Sequence, residues 1–166
     1  MEKILVIGAA RSGLAAAKIA KKFGAEVILS DAKLESEINF DLSELRGLGV
    51  DLRFGKQTEE LLRGVDKIIV SPAVPIKIPV LKSAAAQGIP IISEVEFAFG
   101  LAQSPIVAVT GTNGKTTTVT LLGLLLKEKF SKVGVGGNIG VPLSEVALDI
   151  GAGGYLAVEI YQAYGD

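Results

Sequence analysis

The sequence predicts an α/β protein built on parallel sheets, and three observations carry that expectation. Short β-branched runs alternate with helical stretches along the chain, the pattern of strands joined by crossover helices. Two of the strand-to-helix junctions are rich in glycine. Apolar residues make up 49% and charged residues 21%, the balance of a globular chain rather than a disordered one.

The elements follow in order. Ile4–Ile7 reads as a buried strand. Ser12–Phe23 reads as a helix, with Leu14, Ala17 and Phe23 facing inward and a solvated edge of Lys18, Lys21 and Lys22. Glu26–Leu29 is a second strand ending at Ser30-Asp31, and a polar segment runs from Ala32 to Glu44. Val50–Phe54 and Lys67–Val70 are further strands. Pro79–Gln87 is a helix closed by Gly88, since proline suits a helix start and glycine its end. Ile89–Ile92 is one more short strand. Glu94–Leu101 reads as a connecting helix, followed by a break at Gln103-Ser104-Pro105. Ile106–Val109, Lys132–Val135 and Tyr155–Ile160 are then strands, and Lys115–Lys129 is a helix.

At 166 residues the chain is long enough for one ordinary domain or two small ones. The pattern favours two, with residues 1–93 forming a Rossmann-like domain and residues 94–166 opening a second. Composition excludes several kinds of chemistry. There is no cysteine and no histidine, so a thiolate metal site, a Ser-His-Asp triad and a histidine general base are ruled out. Any metal would be a hard ion held by oxygen. The net charge of −1 gives no reason to expect nucleic acid or an anionic membrane as partner. The apolar run at Val119–Leu126 ends at Lys127, far short of the roughly 20 residues of a membrane span. Ile4–Ile7 is too short for a signal peptide. The expectation is a cytoplasmic protein.

The first glycine loop is Gly8-Ala9-Ala10-Arg11-Ser12-Gly13. It resembles G-x-G-x-x-G with alanine in the middle position. The first glycine allows a tight turn and the last allows close helix packing, while the helix N-terminus faces a phosphate. Asp31 stands 18 positions after Gly13 at the end of the second strand, where dinucleotide folds place a ribose-binding carboxylate. NAD, another nucleotide and a ligand-free βα turn all remain open, because the loop reads phosphate and not base.

The second loop is Thr110-Gly111-Thr112-Asn113-Gly114-Lys115-Thr116-Thr117, between a strand and a helix. Backbone N–H groups there can cradle a polyphosphate. Lys115 can reach the β- and γ-phosphates, and the Thr116 hydroxyl can ligate magnesium. The usual spacing wants a glycine at position 109, where Val109 stands, so this is a variant loop. The bland alternative is a cluster of helix-capping residues. Glu159, at the end of the last strand, is the candidate carboxylate for the metal; its alternative is an ordinary surface glutamate.

Thr110–Thr117 resembles the phosphate loop of the Mur ligases and of the related folylpolyglutamate synthases. Ser71-Pro72-Ala73 is similar to a Ser-Pro-Gly turn of the Mur ligases. Ser93–Phe97 is similar to their interdomain segment, and Gly137-Asn138-Ile139-Gly140 to a Gly-Asn-Ile-Gly loop. The likeness covers nearly the whole chain and is strongest to the branch that adds D-glutamate to UDP-N-acetylmuramoyl-L-alanine in peptidoglycan synthesis. The opening glycine loop sets the chain apart from folylpolyglutamate synthases.

The resemblance implies a fold and a set of roles. The fold is a Rossmann-like parallel sheet domain followed by the first part of a P-loop ATPase domain. Gly8, Ser12 and Gly13 would hold the UDP diphosphate, with Asp31 and Lys33 at the uracil end. Ser71 and Asn138 would touch the muramoyl part. Gly111, Asn113, Gly114, Lys115, Thr116 and Thr117 would bind ATP, with Thr116 and Glu159 on Mg²⁺. Lys115 and Asn138 would act at the reacting centre. In that chemistry ATP activates a carboxylate as an acyl phosphate, and the amine of D-glutamate displaces phosphate to give an amide. Other readings are an NAD-dependent oxidoreductase using only the first loop, a non-catalytic nucleotide-binding module, and a Mur ligase for another amino acid.

Two features depart from the family pattern. A Ser-Ser-Phe-Gln-like run is expected after Glu159, where Ile160-Tyr161-Gln162-Ala163 stands. The family also continues well beyond this length, with the D-glutamate site in the later part. The chain is therefore expected to be an inactive N-terminal fragment whose second sheet exposes an edge and an apolar face. Ligase turnover by the 166-residue chain, assayed as phosphate release coupled to D-glutamate addition, should be undetectable; measurable amide product would overturn this expectation.

Overall fold

A computed structural model describes residues 1–138 and 140–160. The chain divides into two compact units, Met1–Glu94 and Val95–Asp166.

The first unit is a five-stranded sheet. Its strands are β1 (Lys3–Ile7), β2 (Glu26–Asp31), β3 (Asp51–Phe54), β4 (Lys67–Val70) and β5 (Ile91–Ser93), in spatial order β3-β2-β1-β4-β5. All four pairings are parallel. Strand order therefore reverses at β1, the switch point at which open α/β sheets leave a crevice beyond their carboxyl ends. The central strand is the driest part: Leu5, Val6 and Ile7 are fully buried, as are Leu29, Ile68 and Ile69. Burying each such side chain contributes about 1.5–3 kcal/mol, and this requires the near-continuous apolar runs that the sequence shows.

Helix α1 (Arg11–Lys22) follows β1, and its last turn carries Lys21 and Lys22, which suit the negative end of the helix dipole. Its buried residues are Gly13, Ala15, Ala16, Ala17, Ile19 and Ala20. The inward placement expected for Phe23 is corrected. Phe23 is 63% exposed, because it sits past the last turn as the C-cap, where its N–H bonds the Ile19 carbonyl. Leu14 is only half-buried, and the small alanines do the packing.

The polar stretch after β2 contains a 3-10 turn at Glu35–Glu37 and a short helix, α2 (Ser43–Gly47). Helix α3 (Pro79–Ala86) closes with the Gly88 N–H on the Ala85 carbonyl. The strand expected at Ile89–Ile92 is displaced to Ile91–Ser93. Pro90 has no N–H to give to a ladder and contributes only its carbonyl, which accepts from the Ile68 N–H at 2.8 Å.

Helix α4 (Glu94–Leu101) enters the second unit after its first residue, and that unit goes on with β6 (Ile106–Val109), α5 (Lys115–Lys129), β7 (Val133–Gly137), α6 (Leu143–Ile150) and β8 (Tyr155–Glu159). Three parallel strands lie in the order β6-β8-β7. The core is Ala98, Leu143, Val146, Ala147, Leu156 and Val158. Helix α6 comes close to the sheet over Gly136, where a Cβ would stand 2.7 Å from Val146 Cγ2. The edge and apolar face expected from the sequence are present among the described residues. Strand β6 is at the sheet edge with Val107 40% exposed, and α5 turns Leu121, Leu124 and Leu125 to solvent. No helix among the described residues is long and apolar enough to cross a membrane.

Ser104 fastens the entry to β6. Its hydroxyl donates to the Gly151 carbonyl at 2.6 Å and accepts from the Gly154 N–H at 2.9 Å, and it is buried. Ser104→Ala leaves two backbone groups unsatisfied, so the second unit should lose about 1–3 kcal/mol. Urea unfolding followed by tyrosine emission reads this directly, because all three tyrosines lie at or after position 155 and there is no tryptophan. An unchanged midpoint would refute it.

Candidate functional site

In the first unit the switch point opens into a cleft of about 340 Å³ lined by Gly8, Asp31, Lys33 and Ser71. The register explains why these residues meet. Ile7 pairs with Ser30 on one side and Val70 on the other, so the residues that follow each strand emerge side by side. Gly8 sits at φ +103°, and a Cβ there would lie 2.8 Å from both Ser71 Cβ and Val74 Cγ2. Glycine is required on both counts. A Cβ on Gly13 would collide with the Gly8 carbonyl oxygen, so the loop and the first turn of α1 are in direct contact.

Helix α1 starts without a side-chain cap and with no acidic residue in its first turn. A helix start of this kind presents its positive dipole end at the mouth of the cleft. Ser12 lies in that turn, half-buried. Asp31 is tied into the loop: one carboxylate oxygen accepts from the Ala9 N–H at 2.7 Å and the other from the Lys33 N–H at 2.9 Å. The carboxylate thus holds the glycine loop against the turn after β2. Lys33 is exposed and Ser71 buried. Gln57, absent from the sequence-based candidates, also lines this cleft and donates from Nε2 to Ser30 Oγ at 3.1 Å. One signal for it existed: a polar residue just beyond the carboxyl end of a parallel strand stands where such sheets carry their ligands.

In the second unit the loop after β6 leads straight into α5. Gly114 caps the helix in the left-handed conformation, φ +74°, with no side-chain cap and no acidic residue in the first turn. Lys115 curls back over the loop, donating from Nζ to the Gly111 carbonyl at 2.7 Å and the Thr112 carbonyl at 3.4 Å. Gly111 is half-buried, while Asn113 and Thr117 are exposed. Glu159 pairs in register with Val109 and Gly137, which brings it to the foot of the loop. It is 1% exposed, so it is no surface glutamate. Its Oε2 accepts from Thr116 Oγ1 at 2.9 Å, while Oε1 is buried without a hydrogen-bond partner among the described residues. Beside it, the Asn138 N–H donates to the Glu159 carbonyl at 3.1 Å, and Asn138 Oδ1 is likewise buried and unbonded.

An unbonded buried carboxylate oxygen next to a threonine hydroxyl fits a hard divalent cation, which gains its remaining ligands from phosphate and water. The described residues hold no cluster of three acidic side chains that would cage a metal unaided. Ile139 of the Gly137–Gly140 loop, and Tyr161-Gln162-Ala163 of the run that follows Glu159, lie outside the described residues.

Fold and loops together define the class: a parallel α/β protein with two strand–glycine loop–helix junctions, each at the carboxyl ends of its strands. Residues 2–93 match the family model of the Mur ligase MurD-like N-terminal domain. UDP-N-acetylmuramoylalanine--D-glutamate ligase of Thermoanaerobacter pseudethanolicus is 42% identical over 159 residues, covering 96% of this chain and 35% of that protein. The ligase of the same name from Pelotomaculum thermopropionicum is 46% identical over 142 residues, covering 86% and 31%. Among solved structures, a murein peptide ligase from Psychrobacter arcticus superposes with a TM-score of 0.59 at 23% identity, covering 96% of this chain and 37% of that one, which supports the fold. The chain belongs to the MurD-like Mur ligase family. It spans about a third of the length of the curated relatives it matches.

The contact between Gly13 and Gly8 sets a sharp test. Gly13→Ala forces the loop and helix apart and should cost the first unit about 1–3 kcal/mol. Urea unfolding followed by far-ultraviolet circular dichroism is the measurement, and an unchanged midpoint would show that the loop yields freely.

Proposed function

We propose that the chain carries the UDP-substrate domain, residues 1–93, and the opening of the ATP-binding domain, residues 94–166, of an ATP-dependent amide ligase. That ligase adds D-glutamate to UDP-N-acetylmuramoyl-L-alanine in the cytoplasm, as a step of peptidoglycan synthesis. The observation that carries this reading is the switch-point cleft. Gly8, Asp31, Lys33 and Ser71, each singled out for the UDP substrate, line one cavity in a unit matching the MurD-like N-terminal domain.

In this reading Gly8, Ser12 and Gly13 present backbone N–H groups and the α1 N-terminus to the diphosphate. Asp31 keeps the loop closed around it, and Asp31 and Lys33 stand at the uracil end. Ser71 faces the muramoyl portion. In the second unit Gly111, Asn113 and Gly114 shape the phosphate loop, and Thr117 extends its rim. Lys115 exchanges its two loop carbonyls for phosphate oxygens and neutralises charge there. Thr116 and Glu159 would hold Mg²⁺, with Asn138 beside Glu159 at the reacting centre. ATP with Mg²⁺ supplies the phosphoryl group that activates the substrate carboxylate as an acyl phosphate. The amine of D-glutamate would then attack the carbonyl carbon of that acyl phosphate, forming the amide N–C bond as the C–O bond breaks and inorganic phosphate and a proton leave.

Against an oxidoreductase, Ala10 stands where a dinucleotide loop has its middle glycine. Calorimetric titration separates the two. UDP-N-acetylmuramoyl-L-alanine should bind saturably and NADH should not; binding of NADH alone would overturn the proposal.

A further inference from the structure

We propose that the first unit carries a second ligand site, for a small phosphate ester, on the sheet face under the connection from β3 to β4. A cavity of about 570 Å³ opens there, within the size range of small-molecule sites. It shares no lining residue with the switch-point cleft, and the inference does not depend on what that cleft binds.

The register explains the cavity. Lys3 is level with Glu26, Ile28 with Asp51 and Ser30 with Arg53. Lys3, Ile28, Asp51 and Arg53 therefore share one face of the sheet. The chain crosses that face with a single 3-10 turn, Glu59–Leu62, in place of a full helix. Leu62 joins the core with Ile28, and so short a cover leaves space beside β3. Lys56 and Thr58 line that space, while Gln57 between them lines the switch-point cleft. One stretch of chain thus stands between two cavities.

The charges around the space are unbalanced. Lys3, Arg53, Lys56 and Arg63 line it with two carboxylates, Asp51 and Glu60. Asp51 is already engaged, its oxygens accepting from Arg53 Nε at 2.9 and 3.0 Å. That contact steadies the guanidinium and leaves its terminal N–H groups for a ligand. Lys3 is paired with Glu26 at 3.0 Å. The side chains of Lys56 and Arg63 make no hydrogen bond or ion pair among the described residues, although Glu60 lines the same cavity. Two guanidinium forks and an ammonium around one space suit phosphate oxygens, which arginine takes bidentately. Buried Ile28 and half-buried Leu61 give an apolar wall for the organic part of an ester. Glu60 can accept from a hydroxyl on that part.

NMR of the intact chain, titrated with phenyl phosphate and with inorganic phosphate, tests this. The Nε–H resonances of Arg53 and Arg63 and the Lys56 amide should shift saturably, at lower concentrations of phenyl phosphate than of inorganic phosphate. Lys56→Gln and Arg63→Gln should each weaken phenyl phosphate at these resonances about threefold or more. Arg63→Lys, which keeps the charge and loses the fork, should fall between. Any shifts at Gly8 and Gly114, in the two glycine loops, should keep their native midpoints in all three variants. Shifts confined to the glycine loops, equal shifts with sodium chloride at matched ionic strength, or native midpoints in both glutamine variants would overturn the site. Equal affinity for the two phosphates would overturn its assignment to an ester. Each of these readings is independent of whether a UDP substrate binds the cleft.

Discussion

The register of the central strand governs the first unit. Because β1 lies between β2 and β4 in parallel, with Ile7 level with Ser30 and Val70, three chain segments leave the sheet at one height. The crevice between them follows from the reversal of strand order and needs no further device. A shift of one residue would carry Gly8 out of level with Ser71 and break up the crevice. Packing and site therefore share one cause. The fully buried Leu5, Val6 and Ile7 fix the register, and the register fixes the cleft.

The second unit places its polar groups by a similar rule but at greater cost. Glu159 ends a strand whose preceding residues, Leu156, Ala157 and Val158, are fully buried, and it is buried as they are. A carboxylate there with one oxygen unbonded costs free energy in the ligand-free fold. Thr116 offsets only part of that cost through one hydrogen bond. Such a group is tolerated where a cation completes its environment. Lys115, in contrast, is satisfied within the fold, its ammonium lying on the carbonyls of Gly111 and Thr112.

Much of this was legible in the sequence, for identifiable reasons. Strands Lys67–Val70 and Ile106–Val109 and helices Glu94–Leu101 and Lys115–Lys129 stand where glycine, proline and β-branched runs set their limits. Helices α2 and α6 were not foreseen. The first is only five residues long, shorter than any helical period can announce. The second begins just after Pro142 and is eight residues long, so its apolar positions at Leu143, Val146 and Ala147 make too short a pattern. Phe23 was misplaced because hydrophobicity was read as burial, whereas small alanines suffice when a helix lies close to a sheet. At the sites, glycine loops announced themselves by spacing. The burial of Glu159 and the bonds of Asp31 to Ala9 and Lys33 did not, since both depend on strands far apart in sequence. Gln57 belongs to no motif and became visible only through the cavity it lines.

The outer face of α5 and the open side of β6 have a colloidal consequence. Three exposed leucines and a strand edge that is unpaired among the described residues give any two copies a short-range attraction. A net charge of −1 supplies almost no long-range repulsion to oppose it. Added salt has little repulsion left to screen, while distance from the isoelectric point, near pH 5.6, is the variable that restores it. The dispersion of this chain in solution is thus governed by acidity and concentration more than by ionic strength.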